Sequence, residues 1–290
     1  MKAVIVGAQG QLGRELLATR PPRVECVAAS RADLDITVLS EVLEFVQSRQ
    51  PDLLINCAAY TAVDGAELKP DLALAVNADG VGNLAKAAGL ARARVIHVST
   101  DYVFDGAAQT PYPSDAETHP LGVYGHSKLA GEMRLQALLP VNSVIVRTAW
   151  LYSRFGGNFV KTMLRLMNER EELAVVADQT GSPTWARGLA QMLWTLAARP
   201  QLHGIFHWTD RGQCSWYQFA SEIYKQGRAL GIIKRKLKFY EITSAEYRRA
   251  AVRPAYSVLD CSRSRELLDL PGEPWQQQLR AMLEDMARHA

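Results

Sequence analysis

The chain has 290 residues, 48% of them hydrophobic and 22% charged, which is enough apolar material for one large core or two coupled ones and too much for a disordered segment. Its 33 basic and 30 acidic residues leave a formal net charge of +3, a balance that excludes nucleic acid as the expected partner, so any anion site must be local. No apolar run is long enough to span a bilayer, an apolar strand follows Met1 and Lys2 with no signal-like segment, and Cys26, Cys57, Cys214 and Cys261 form no C-x-x-C pair; together these predict a reduced, cytoplasmic protein without a membrane partner.

Short β-branched runs at residues 3–6, 24–28, 53–57, 94–98 and 143–147 predict strands, and the segments between them, such as 38–46, carry apolar residues at helical spacing. Alternation at this pitch predicts an α/β fold, a Rossmann-type doubly wound parallel sheet with helices on both faces, over residues 1–150. After Trp150 the pattern turns helical. Residues 158–168, 185–198, 216–230 and 275–286 predict helices, joined by short strands near Ala174-Val175 and at 204–207. These residues, 151–290, read as a smaller α/β carboxy-terminal domain that exchanges a segment or two with the first. The basic run Ile233-Lys234-Arg235-Lys236-Leu237-Lys238 reads as a solvated loop.

The chemistry stands at the strand ends. The first strand runs into Gly7-Ala8-Gln9-Gly10-Gln11-Leu12-Gly13, a G-x-x-G-x-x-G spacing with a helix directly behind it. Gly7 and Gly10 permit a tight turn whose N–H groups can approach a pyrophosphate, and Gly13 lets the helix lie close to the sheet, so residues 1–150 read as a dinucleotide-binding domain with Gln11 and Leu12 also in its cradle. The second strand ends in Ala29-Ser30-Arg31, where an acidic residue would otherwise accept from the adenosine ribose. A hydroxyl and a guanidinium there suit a 2′-phosphate, which predicts NADPH, while Asp33 and Asp35 nearby keep NADH as the alternative. Asp35 and Ile36 in the same turn are further expected cofactor contacts, and Ala58, Ala59 and Tyr60 after the third strand leave room for the adenosine.

Ser99-Thr100-Asp101-Tyr102 closes the fourth strand, and Tyr124-Gly125-His126-Ser127-Lys128 opens a helix with Tyr124 and Lys128 at i and i+4 on one face. A free phenol titrates near about 10. The Lys128 ammonium is expected to lower that value and make Tyr124 a usable acid, Thr100 to orient a carbonyl oxygen, and Lys128 also to fix the nicotinamide ribose. Tyr124 and Lys128 thus count among both catalytic and cofactor residues. No His/Asp/Glu cluster makes a metal site, and His203 and His207 flank a strand in a way better explained by packing.

The glycine spacing, Asn-x-Ala-Ala, Ser-Thr-Asp-Tyr-Val-Phe and Tyr-x-x-x-Lys, in that order, resemble the extended short-chain dehydrogenase/reductase superfamily. Within it the chain is similar to the dTDP-4-dehydrorhamnose reductase family at residues 10–13, 58–64, 99–104, 123–132, 147–152, 158–166 and 179–184, with a weaker echo at Arg253-Pro254 and 257–260. The resemblance implies NADPH-dependent reduction of dTDP-4-dehydro-β-L-rhamnose to dTDP-β-L-rhamnose, for cell-surface polysaccharide, by a monomer or homodimer. It also implies that Tyr124 is the proton donor, that Lys128 and Thr100 are its partners, and that Thr100, Asp101 and Trp150 contact the sugar nucleotide; Mg2+ enters by resemblance only. Trp150 reads equally as a wall of the sugar site or a core aromatic at the domain junction. A 4,6-dehydratase would place Asp-Glu where Asp101-Tyr102 stands. A 4-epimerase with retained cofactor and a non-catalytic dinucleotide-binding regulatory subunit stay open; intact Thr100, Tyr124 and Lys128 weigh against the latter.

Overall fold

The computed structural model describes residues 1–289. Its first half runs β1 (Lys2–Val6), α1 (Gln11–Ala18), β2 (Glu25–Ala29), α2 (Leu39–Arg49), β3 (Leu53–Asn56), α3 (Val63–Leu68), α4 (Pro70–Leu74), α5 (Gly80–Ala91), β4 (Arg94–Thr100), α6 (Val123–Leu138) and β5 (Ser143–Thr148). The second half runs β6 (Leu151–Tyr152), α7 (Phe159–Glu169), β7 (Glu172–Val176), β8 (Thr180–Gly181), β9 (Thr184–Trp185), α8 (Ala186–Ala197), β10 (Gly204–His207), β11 (Cys214–Ser215), α9 (Trp216–Ala229), β12 (Lys238–Ile242), α10 (Ser262–Leu268) and α11 (Trp275–Arg288).

The predicted strands form because successive side chains enter two apolar layers. Ala3, Ile5, Leu53, Ile55, Val144 and Val146 face one, and Val4, Val6, Leu54, Val95 and Ile145 face the other. A sheet buried on both sides must be covered by helices. α1 and α8 cover the first face, and α2, α5 and α6 the second. The strand order is β10-β5-β4-β3-β1-β2, parallel at every pairing. The order reverses between β1 and β3, which opens a crevice beyond their carboxyl ends.

The packing does not divide at residue 151. β10, expected as a connector in the second domain, pairs with β5 from Gly204↔Val144 to His207↔Arg147 and is the sixth strand of the main sheet. α8 buries Leu189 and Leu193 against Leu12 and Leu16 of α1, and Trp194 Nε1 donates to the Leu16 carbonyl at 3.1 Å. The separate second core gathers Tyr152, Met167, Phe219 and Leu283 from β6, α7, α9 and α11. β12 pairs with β7, and residues 234–236 of the basic run are exposed just before it. All four cysteines are free thiols, and among the described residues no helix is long and apolar enough to cross a membrane.

Between α4 and α5 the helix takes one π turn, Ala75–Asp79. Such a turn re-aims side chains at functional places. Here it buries Asn77, which accepts from Tyr60 N at 2.8 Å and donates to Tyr60 O at 3.1 Å and Ser127 Oγ at 3.0 Å. The loop after β3 is thereby tied to α6, the helix of Tyr124 and Lys128.

Candidate active site

At the end of β1, Gly7 has φ +77, and a Cβ there would lie 2.7 Å from Ala58 N, so only glycine fits. Gly10 N donates to Gly7 O at 3.0 Å and closes the turn. As the N-cap of α1, Gly10 has no side chain to cover the first-turn N–H groups, and it lines a cavity of about 280 Å³. The expected contacts Gly7, Gly10, Ser30, Arg31, Asp35, Ile36, Ala58, Ala59 and Tyr60 all line that cavity. Five expected residues do not: Tyr124 and Lys128, which stand on α6, and Gln11, Leu12 and Gly13. Leu12 is buried in the core, Gln11 Oε1 accepts from Asn158 Nδ2 at 2.9 Å, and a Cβ on Gly13 would meet Ala8 Cα and Gly7 O at 2.6 Å. Gly13 therefore serves the glycine turn itself rather than contact with the sheet.

The turn after β2 corrects a second expectation. Ser30 donates from Oγ at 2.5 Å and from N at 2.9 Å to Asp33 Oδ2, and these bonds hold the Asp33 carboxyl below its usual range. The hydroxyl meant for a 2′-phosphate is already engaged. Arg31, exposed on the rim, is the group that remains for it.

α6 starts where Glu67 Oε1 accepts from Val123 N at 2.8 Å, a carboxylate at a helix N-terminus. One turn in, Lys128 is 2% exposed, and its Nζ stands 2.7 Å from Val98 O and 3.3 Å from His97 Nε2. Burial pushes Lys128 down to about 8, against the pull of Glu132. Burial also pushes the Tyr124 phenol up to about 12, with the Thr100 hydroxyl pulling down and Asp101 pushing up. The expected lowering of the phenol by the ammonium is therefore absent. Lys128 is committed to β4, and desolvation moves the two groups in the senses their charged forms dictate. Thr100 is oriented by accepting from Tyr102 N at 3.2 Å and donating to Asp101 Oδ1 at 3.1 Å. Burial raises Asp101 to about 6, while Ser257 and Thr100 oppose the shift.

A second cavity, about 680 Å³, lies in the other core, with Phe159, Met163 and Trp216 on one side and Arg248, Arg249 and Arg253 on another. Ala251 and Val252 line both this cavity and a narrow crevice beside Tyr124. The strap carrying these arginines is clasped by Asp64, which accepts from Arg253 at 2.8 and 3.1 Å and from Ala251 N at 3.1 Å. Asp64→Ala should free the strap and speed tryptic cleavage after Arg248 and Arg249 about tenfold, the equivalent of one charge-assisted hydrogen bond; unchanged cleavage would assign the strap's order to other contacts. Trp150 is not among the residues lining this cavity and stands behind Trp216. It sits at φ 46 with its ring 3.5 Å from that of Trp216 and 9° from parallel, and Trp216 faces the cavity.

Sequence reasoning missed His97, Asn77 and the strap, and took Asn56 only as part of the Asn-x-Ala-Ala motif. The strap left a trace, since Asp64 and Arg253 each stood in a recognised motif while their contact across the fold did not show. Among the described residues no group of three or more His, Cys, Asp or Glu side chains converges as a metal site. His207 is buried with Nδ1 3.0 Å from Tyr112 O, and burial pushes it down to about 3. The magnesium implied by resemblance thus finds no ligand set among the described residues.

A phenol one helical turn from a buried lysine, beside a glycine-turned crevice in a doubly wound sheet, defines an oxidoreductase of the short-chain dehydrogenase/reductase class. The chain belongs to the RmlD substrate binding domain family, whose model matches residues 1–288. It is 41% identical over 289 residues to a dTDP-4-dehydrorhamnose reductase of Sinorhizobium fredii, covering 98% of this chain and 97% of that one. It also superposes on the crystal structure of a dTDP-4-dehydrorhamnose reductase from Clostridium acetobutylicum (TM-score 0.93, 42% identity, 99% of this chain and 100% of the other). The corresponding values for the Bacillus anthracis dTDP-4-dehydrorhamnose reductase in complex with NADP are TM-score 0.92, 38% identity, 98% and 99%.

Proposed function

We propose that the protein reduces the 4-keto group of dTDP-4-dehydro-β-L-rhamnose to give dTDP-β-L-rhamnose, with NADPH as reductant. The observation that carries this reading is that one chain holds a glycine-turned cavity suited to a dinucleotide, an arginine-lined chamber suited to a second diphosphate, and Tyr124 in a crevice that shares Ala251 and Val252 with that chamber. In the crevice, the N–H groups around Gly7 and Gly10 would hold the pyrophosphate, Arg31 the 2′-phosphate, and Lys128 the nicotinamide ribose. NADPH bound there supplies the hydride. Thr100 orients the carbonyl oxygen, and Tyr124 gives it the phenolic proton, forming the O–H bond of the product alcohol. In the chamber, Arg248 and Arg249 offer charge to the sugar diphosphate, and Trp216 and Phe159 offer flat apolar surface to its base.

Mixing the purified protein with NADPH and dTDP-4-dehydro-β-L-rhamnose should oxidise the cofactor, followed by its absorbance. Folded protein that binds NADPH and leaves the absorbance unchanged would overturn the reading. Arg31→Ala should raise the Michaelis constant for NADPH by about 10- to 100-fold, the worth of a guanidinium-phosphate contact, and leave NADH nearly unaffected. Equal losses with both cofactors would make Arg31 a structural residue.

A further inference from the structure

His97 is a fully buried histidine in β4 that the reaction above does not use. Its hydrogen bonds have only one consistent direction. The backbone N–H of Ala58 can only donate, so the Asn56 atom 3.0 Å from it is the amide oxygen. The other end of that amide is then its NH2 group, 3.0 Å from His97 Nδ1. An amide nitrogen offers no lone pair, so Nδ1 is the acceptor and carries no proton. The ring is neutral with its proton on Nε2, and that N–H points at Lys128 Nζ, 3.3 Å away.

An ammonium has three donors and no acceptor. An amine has a lone pair that takes the Nε2 proton while one of its own N–H groups still donates to Val98 O at 2.7 Å. From these directions we infer that Asn56 and His97 are positioning residues that stabilise the amine form of Lys128. Asn56 and His97 are 0% exposed and Lys128 2%, so a misdirected donor among them would bear the full cost of desolvation. The other groups facing Lys128 do not supply this selection. Glu132, one turn further along α6, favours the ammonium but is bound by Arg147 of β5 at 2.7 and 3.0 Å. The Cys57 thiol at the end of β3 is pushed up to about 12 by burial and stays neutral. Tyr124, on Lys128's own helix, is likewise held protonated. Burial acts in the same sense as the chain, pushing both Lys128 and His97 down.

The consequence rests on the reductase reading. When Tyr124 has given up its proton, a proton passed on from Lys128 breaks an N–H bond at Nζ, re-forms the phenolic O–H bond and leaves an amine, and His97 is already aimed to receive that lone pair. Water restores the Lys128 proton afterwards.

Protein carrying 15N-labelled histidine, without substrate, tests the direction of the chain by NMR, with His97 assigned as the signal lost in His97→Gln. The expected spectrum has a proton-bearing Nε2 and a bare Nδ1, unchanged between about pH 5 and 9. A proton on Nδ1, or a charged ring, overturns the inference. Two variants test the effect on Lys128 through the pH dependence of NADPH affinity, read by fluorescence without any sugar substrate. Asn56→Asp replaces the donor to Nδ1 by an acceptor, which should move the ring proton to Nδ1 and turn Nε2 into an acceptor for the ammonium. His97→Gln adds no charge and can turn its amide oxygen to the ammonium. In both, the alkaline fall in affinity should move up by about one pH unit, the equivalent of one hydrogen bond. A shift in Asn56→Asp alone would be the added charge acting by itself, and no shift in either would mean that the chain does not act on Lys128; both outcomes overturn the inference. None of these readouts needs turnover, so their failure leaves the proposed activity standing, and absence of activity leaves the tautomer measurable.

Discussion

Replacing Tyr124 by Phe should lower turnover by roughly 10²–10⁴-fold, the usual cost of losing a general acid, with little change in NADPH affinity. The substitution removes one hydroxyl and keeps the ring, whose edge-to-face packing on Tyr102, 5.7 Å between centroids, should survive. The pH dependence is set by which group titrates first. Because burial holds the phenol up to about 12, Tyr124 keeps its transferable proton throughout the working range. Lys128, pushed down to about 8, does not. Activity should therefore fall as pH rises through about 8 in the native enzyme, and the residual activity of the Phe variant should fall over the same interval. Native-like turnover in Tyr124→Phe would place the proton donor elsewhere. A limb that disappears in the variant would mean that the phenol, not the lysine, titrates there.

Arg147→Leu should destabilise the protein by about 3–5 kcal/mol, measured by urea unfolding, because it strands a buried charge. Arg147 and Glu132 are 3% and 1% exposed and meet at 2.7 Å. Arg147 also lies over the Phe104 ring, 5.2 Å from its centroid. Removing the guanidinium leaves the Glu132 carboxylate in the interior between α6 and β5 with its main partner gone. Replacing both residues by Leu should recover most of the loss, since two apolar side chains carry no desolvation cost. A double variant as unstable as the single one would mean that shape, not charge, governs the site.

The parts of the molecule that were legible in the sequence are those with local causes. β1 to β5 show themselves because parallel strands buried on both faces are runs of Val, Ile and Leu. The trio Thr100, Tyr124 and Lys128 shows itself because two of its members share a helix face and the third ends a strand. β10 was legible as a strand but not as a neighbour of β5, since the four residues Gly204–His207 record propensity and not pairing. The engagement of Ser30 by Asp33 depends on side-chain direction within a turn, which spacing does not convey. His97 was hidden for a different reason. A histidine among apolar strand residues reads as packing, and only the donor on Ala58, acting through the Asn56 amide, gives its ring a direction.

The completion of the main sheet by β10, and of its α1 face by α8, also bears on how the chain reaches its fold on the ribosome. Synthesis from the amino terminus delivers β5 with a bare edge and α1 without its α8 contacts until residues 186–207 have emerged. An unpaired strand edge is a template for wrong pairing. A nascent chain paused after Thr148 is thus a natural client for chaperones, and a fragment cut there would aggregate instead of behaving as a free-standing nucleotide-binding piece. Supplying the missing half in trans, as a separately synthesised polypeptide, should cap that edge and return the fragment to solution.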